Sequence, residues 1–189
     1  MPGSVSISDI TVAGPLARSA KDLTAMMALL AGTEGLEARG LQVKLPKPRF
    51  TALKELSVAV KLSSRASDVD QSYQNRLIAL GEFLKKKVKK LSYEAAPAFS
   101  DQEAYENYIT LLRATATKRM SDAEITAAVE KARGFDAADT SYVPLMTRAF
   151  ALSHGGWLRA NERRHQMALL WDAFFDDWDV LLCPAAASA

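Results

Sequence analysis

The stretch Lys61-Leu62-Ser63-Ser64-Arg65 brings a lysine close to two adjacent serines, a grouping that nucleophilic catalysis uses. A serine attacks only when a base takes its proton and backbone donors face the developing oxyanion. Glycines let the backbone approach that oxygen, and none flanks Ser63 or Ser64. The stretch is therefore expected to be a polar loop between a strand and a helix. His154-Gly155-Gly156-Trp157 has the His-Gly-Gly order that supplies oxyanion-hole amides in some esterases. That chemistry also needs a Gly-x-Ser-x-Gly turn, which the sequence lacks, so these residues are expected to open a helix.

Binding chemistry is equally sparse. His154, His165 and the single cysteine, Cys183, have no recognisable metal-ligand spacing. Cys183 follows an apolar run and is expected to be an inert, buried thiol. Asp172, Asp176, Asp177 and Asp179 lack the glycine and terminal glutamate of a calcium loop, and are expected to be a solvated helix end. The five lysines of Lys85-Lys86-Lys87-Val88-Lys89-Lys90 have no alternating aromatics for stacking bases. At a helix C-terminus they complement the dipole. No catalytic, cofactor-binding or metal-binding residue is assigned, and no cofactor is expected.

The elements that would position any site follow from periodicity and caps. Ser19 with Asp22 predicts a helix start, with Leu16, Ala20, Leu23, Met27 and Leu30 on one stripe and Gly32 as the stop. Such a short helix needs a packing partner. Residues 33–55 form an irregular connection, with Leu41–Leu45 as a brief extended piece. Leu56–Val60 is an apolar, β-branched run expected to be a buried strand. Asp68 caps a second helix with Tyr73, Leu77, Leu80 and Leu84 on its stripe, and Val88–Tyr93 is extended. Strand, helix, strand is the unit of a parallel sheet.

From 100 to 178 the pattern is helical. Ser100 with Glu103 and Ser121 with Glu124 are capping boxes, and Gly134 and Pro144 punctuate the run. A long final helix begins near Ser153 and carries Trp157, Met167, Leu170, Phe174 and Trp178. Asp179–Cys183 is a last buried strand before Pro184, and the alanine-rich tail after it is a candidate for disorder. The expected architecture is α/β: one domain over 1–189, a mostly parallel sheet with a multi-helix excursion over about 100–178.

Composition bounds the partners. The chain has 189 residues, 49% of them hydrophobic, enough for a sizeable core. Its 24 basic against 22 acidic residues leave a net charge of +2, too little for the broad positive field of a nucleic-acid or membrane binder. No stretch has the apolar length of a membrane span, and the N-terminus lacks the pattern of a signal peptide. One cysteine permits no internal disulfide. The expected location is cytoplasmic.

Two segments carry a resemblance. Val12–Gly32, with its Gly-Pro-Leu-Ala-Arg entry into a helix, closely resembles the amidase signature family just downstream of the catalytic core. Phe174–Ala189 resembles the family's Phe…Tyr-Asp-Val-Leu-Leu-x-Pro segment, with Trp178 where tyrosine is usual and Cys183 where threonine is common. Members hydrolyse carboxamides with a nucleophilic serine, a second serine in a cis peptide, and a lysine. The serines lie in or near a Gly-Gly-Ser-Ser-Gly stretch preceding the Gly-Pro-Leu-Ala-Arg entry, and these 189 residues contain no such stretch.

The resemblance implies a portion of an amidase signature hydrolase acting on carbon-nitrogen bonds of linear carboxamides. It would carry part of the substrate-funnel wall and be silent alone. Two alternatives stay open: a non-catalytic binding module of the same fold using the helices of 100–175, and a portion of a tRNA-dependent amidotransferase A subunit. The expected partners are a small amide substrate once the missing segments are supplied, and a complementing N-terminal segment or a second copy covering Leu16, Leu23, Met27 and Leu30.

Overall fold

A computed structural model describes residues 9–188 apart from 11, 13 and 65. Arg65 of the lysine-serine stretch, Ala13 just before the Gly-Pro-Leu-Ala-Arg segment, and Ala189 thus lie outside the described residues. The chain forms two compact units, Met1–Thr51 and Ala52–Ala189.

In the first unit, Ser19 caps helix α1 (Ala20–Leu30) by accepting a hydrogen bond from the Asp22 N–H at 3.1 Å. No residue of α1 is buried, and the stripe stands in solvent, with Leu23 37% and Leu30 55% exposed. The helix stops one residue before Gly32, at Ala31, whose backbone is extended. A left-handed glycine is therefore not what ends it. Residues 41–45 form no strand; the connection over 33–55 carries 3-10 turns at Glu37–Arg39 and Leu53–Glu55.

The second unit holds the sheet. Strand β1 (Ser57–Val60) leads through helix α2 (Gln71–Lys85) to strand β2 (Lys90–Ser92). Four helices follow: α3 (Asp101–Ala114), α4 (Asp122–Arg133), α5 (Tyr142–Phe150) and α6 (His154–Asp177). Strand β3 (Val180–Leu182) closes the sheet in the order β2-β1-β3, all parallel. The fold is α/β, and the helical excursion falls where its pattern placed it.

β1 is the axis of this unit. Val58 pairs with Leu91 on one side and Val180 on the other, and Val58, Ala59 and Val60 are almost wholly buried. A strand flanked on both edges and covered on both faces has no solvent side, so its sequence is continuously apolar. Burying each valine contributes about 1.5–3 kcal/mol. Asp179 anchors one end: its N–H donates to Ser57 O at 2.9 Å and its carboxylate accepts from the Ser57 N–H at 2.8 Å.

Three local expectations shift. The cap of α2 is Asp70, not Asp68: the helix begins only at Gln71, and the Asp70 N–H donates to Ala187 O at 2.8 Å. The buried face of α2 runs through Gly81 rather than Leu80, which is exposed, because the Tyr93 ring lies where a Gly81 side chain would be. Pro144 does not interrupt a helix; it occupies the first turn of α5, where a missing N–H leaves no bond unmade.

In the helical layer α3 packs against α5 and α6, and α4 against α5. Ile109, Leu111, Leu145, Ala149, Met167 and Phe174 form its core. Trp171, Phe174, Phe175 and Trp178 make a chain of ring contacts along the end of α6. Among the described residues, no helix is long and apolar enough to cross a membrane.

Candidate binding cleft

Parallel strands end on one edge of their sheet, so the segments leaving β1 and β3 emerge side by side. Lys61 N–H donates to Leu182 O at 2.8 Å, continuing the β1–β3 ladder one step beyond the strands. Past this point the chain diverges into residues 61–70, leading to α2, and residues 183–187. Between them lies a cleft of about 320 Å3. It is lined by the polar Lys61, Ser63, Ser64, Ser67 and Cys183 and by the apolar Val69, Pro184, Ala186 and Ala187. A crevice outside the carboxyl ends of the strands is where open α/β sheets hold ligands.

Local chemistry shapes each wall. The Ser64 hydroxyl accepts from the Ala66 N–H at 3.2 Å, and the Ser67 N–H donates to Ser64 O at 3.2 Å, closing a tight turn. The opposite wall, the alanine-rich stretch considered a candidate for disorder, is held by Ala187 O on the Asp70 N–H and by the Ala185 N–H donating to Tyr73 Oη at 3.3 Å.

Lys61 donates from Nζ to the carboxylate of Asp101, the first residue of α3. An ammonium engaged this way has no free lone pair to deprotonate a serine. Among the described residues no hydrogen bond joins Lys61 to the hydroxyls of Ser63, Ser64 or Ser67. The cleft thus carries hydroxyl donors and acceptors beside a lysine paired with Asp101. Lys61, Ser63 and Ser64 do come together, in the strand-to-helix loop expected of them.

Cys183 corrects the sequence reading. It is exposed and lines the cleft, because β3 ends at Leu182, whose partner is Val60, and the next residue has already left the ladder. His154 and His165 are exposed on α6, and the Ser153 hydroxyl caps that helix at Gly156 N, 3.1 Å away. The His-Gly-Gly order therefore opens a helix and supplies no oxyanion site. Asp172, Asp176 and Asp177 are solvated, whereas Asp179 serves the sheet. The lysines around the end of α2 are mostly exposed; Lys87 and Lys90 lie 4.6 and 4.1 Å from the ring centres of Phe83 and Trp178. Among the described residues no group of three or more His, Cys, Asp or Glu could hold a metal ion.

Away from the cleft, Arg163 on α6 donates from Nε to Glu103 on α3 at 2.6 Å. The bond holds the Glu103 carboxyl below its usual range and raises Arg163. Glu124 is lowered by its backbone and side-chain bonds with Ser121, and Asp139 by its bonds with Ser141.

Asp101 and the wall of Pro184, Ala186 and Ala187 were not found from sequence. Asp101 lies forty positions from Lys61, and no local pattern joins them. The apolar wall has the composition of an unstructured tail.

A parallel sheet of three strands with a helical layer defines an α/β architecture, with a cleft at the carboxyl edge of the sheet. The chain belongs to the Amidase family, whose model matches residues 5–189. Neither a curated protein nor a solved structure matches it.

Proposed function

We propose that this chain is the ligand-holding portion of a hydrolase acting on carbon-nitrogen bonds of linear carboxamides, and that these residues alone do not turn substrate over. The observation carrying this reading is the cleft itself. It lies where such folds bind substrate, yet its lysine is committed to Asp101 and none of its serines has a neighbouring glycine. Family membership supports the hydrolase class. Loss of the nucleophile of a serine hydrolase lowers turnover on the order of 10⁶-fold.

The test is amide hydrolysis by the purified chain, alone and mixed with a separately expressed segment bearing the Gly-Gly-Ser-Ser-Gly stretch. Turnover only in the mixture supports the reading. Turnover by the chain alone that vanishes in Ser63→Ala or Ser64→Ala would sink it. The second reading, a non-catalytic binding module, is favoured by a cleft formed without an activated nucleophile; it predicts ligand binding and no complementation. An exposed free thiol at Cys183 supports work in a reducing compartment, the cytoplasm.

A further inference from the structure

We propose that the lysine-rich turn between α2 and β2 is a membrane-docking surface, which seats the chain on an anionic bilayer through its ammonium groups and one exposed aromatic ring. The inference is independent of the reading above and concerns the opposite end of the sheet. α2 runs back against the parallel strands, so its last residue, Lys85, and the first residue of β2, Lys90, stand at the amino edge, away from the cleft at the carboxyl edge. The backbone pins this turn: the Lys87 and Val88 N–H groups donate to Leu84 O at 2.7 and 3.0 Å, and the Lys89 N–H donates to Leu56 O at 2.9 Å. Its lysines are thereby displayed together.

Lys85, Lys86, Lys87, Lys89 and Lys90 are all exposed, and among the described residues the only carboxylate in ion-pair range of any of them is Glu82, 3.6 Å from Lys85. Four cations are left uncompensated. The small net charge of +2 does not count against docking, because an anionic leaflet attracts basic residues only within a Debye length, about 8 to 10 Å. It reads the local cluster, not the sum over the molecule.

The outer face of α2 adds apolar contact. Arg76, Leu80, Phe83 and Lys87 recur at steps of four, three and four, one stripe of the helix, and Leu80 and Phe83 are 40% and 59% exposed. Cations flanking apolar side chains are the pattern by which a helix lies in the headgroup region. All five charges of the turn are lysines, compact ammoniums without the planar fork that arginine offers to a single phosphate or carboxylate. Such a cluster suits many dispersed headgroups better than one acidic motif on a protein. Nucleic acid would match the charge but not the apolar stripe.

The experiment is co-sedimentation of the full chain with phosphatidylcholine vesicles, with and without phosphatidylserine, at low, physiological and high salt. The chain should bind the vesicles that contain phosphatidylserine, ignore the neutral ones, and detach at high salt. Lys86→Gln with Lys87→Gln should weaken binding about 25-fold, at about fivefold per lysine. Lys131→Gln with Arg133→Gln on α4, an equal change in net charge, should alter it less than about twofold, since those residues lie outside the cluster. Phe83→Ser should weaken it about fivefold.

Equal binding to neutral vesicles, no binding to either kind, or no loss at high salt overturns the proposal. So does undiminished binding by a Lys86 and Lys87 double variant whose circular dichroism is native, or an equal loss in the α4 control. Should the double variant fail to fold, Lys89→Gln alone decides, and unchanged binding then overturns the idea. A salt-sensitive dimer without vesicle binding, or tighter retention of a DNA duplex than of the anionic vesicles, gives the surface to that occupant and overturns the bilayer. Failure here leaves the hydrolase reading standing, because its complementation test needs no membrane.

Discussion

Ser100 and Ser121 occupy the same position in their helices, yet their partners behave differently. Ser121 completes a reciprocal box: the Glu124 N–H donates to its hydroxyl at 3.3 Å, and the Ser121 N–H donates to the Glu124 carboxylate at 2.7 Å. At Ser100 only the first half forms, at 3.1 Å, because the Glu103 carboxylate is drawn to Arg163. Ser121→Ala should therefore lower stability by about 1 kcal/mol, read as a lower urea midpoint with unchanged slope.

Glu103 gives a pH prediction. Its carboxyl is held low chiefly by the hydrogen bond from Arg163. A lowered folded value means that this contribution is present above the ordinary carboxylate range and is lost as pH falls through the folded value. Arg163→Gln should return the Glu103 titration towards its ordinary range in a carboxyl NMR experiment, and flatten the acid side of the stability profile. An unmoved titration would count against the pair. The caps at Ser19, Ser100 and Ser121 were legible from sequence because donor and acceptor lie three residues apart, whereas α2, whose Asp70 makes no side-chain cap bond, was misplaced by two residues. The pairs of Glu103 with Arg163 and Lys61 with Asp101 were not legible, since only the packing of separate elements brings them together.

At the scale of elements, α2 and β2 meet through one missing side chain. A Cβ at Gly81 would lie 2.0 Å from Tyr93 Oη and 2.9 Å from its ring carbon, so the ring packs on the helix only because that position is glycine. Helix propensity alone would favour alanine there by about 1 kcal/mol. We expect overpacking to win: Gly81→Ala should cost about 1–3 kcal/mol by chemical denaturation. Among the described residues Tyr93 Oη is buried without a hydrogen-bond partner, so Tyr93→Phe should be close to neutral. The double variant should cost less than the sum of the two. The strand-helix-strand order was legible because a change from a period of 3.6 to a continuous apolar run is strong even in short segments. The exact face of α2 was not, because periodicity weighs a leucine above a glycine and cannot see the ring across from it.

Across the whole molecule the two units differ in how much each helix or strand buries. α1 has no buried residue, whereas β1 is buried throughout. A helix of 11 residues with an unburied stripe is marginal in water. Hydrogen exchange should find the amides of Ala20–Leu30 close to unprotected and those of β1 among the slowest. Equal protection in both would show that α1 has gained a partner. The class of the fold was legible from β1 and β3, whose apolar runs survive any choice of loop. The cleft was not, because its walls come from the two segments that carry the weakest patterns, 61–70 and 183–187.

The central position of β1 also sets an order of events during synthesis. Ser57 meets its carboxylate partner, Asp179, across 122 intervening steps of chain, so one edge of β1 waits while five helices, α2 to α6, emerge. Long-range pairing of this kind folds slowly and leaves an adhesive edge open. The nascent polypeptide should accordingly lean on chaperones until β3 clears the ribosome, and that dependence should ease abruptly once Leu182 is free to dock.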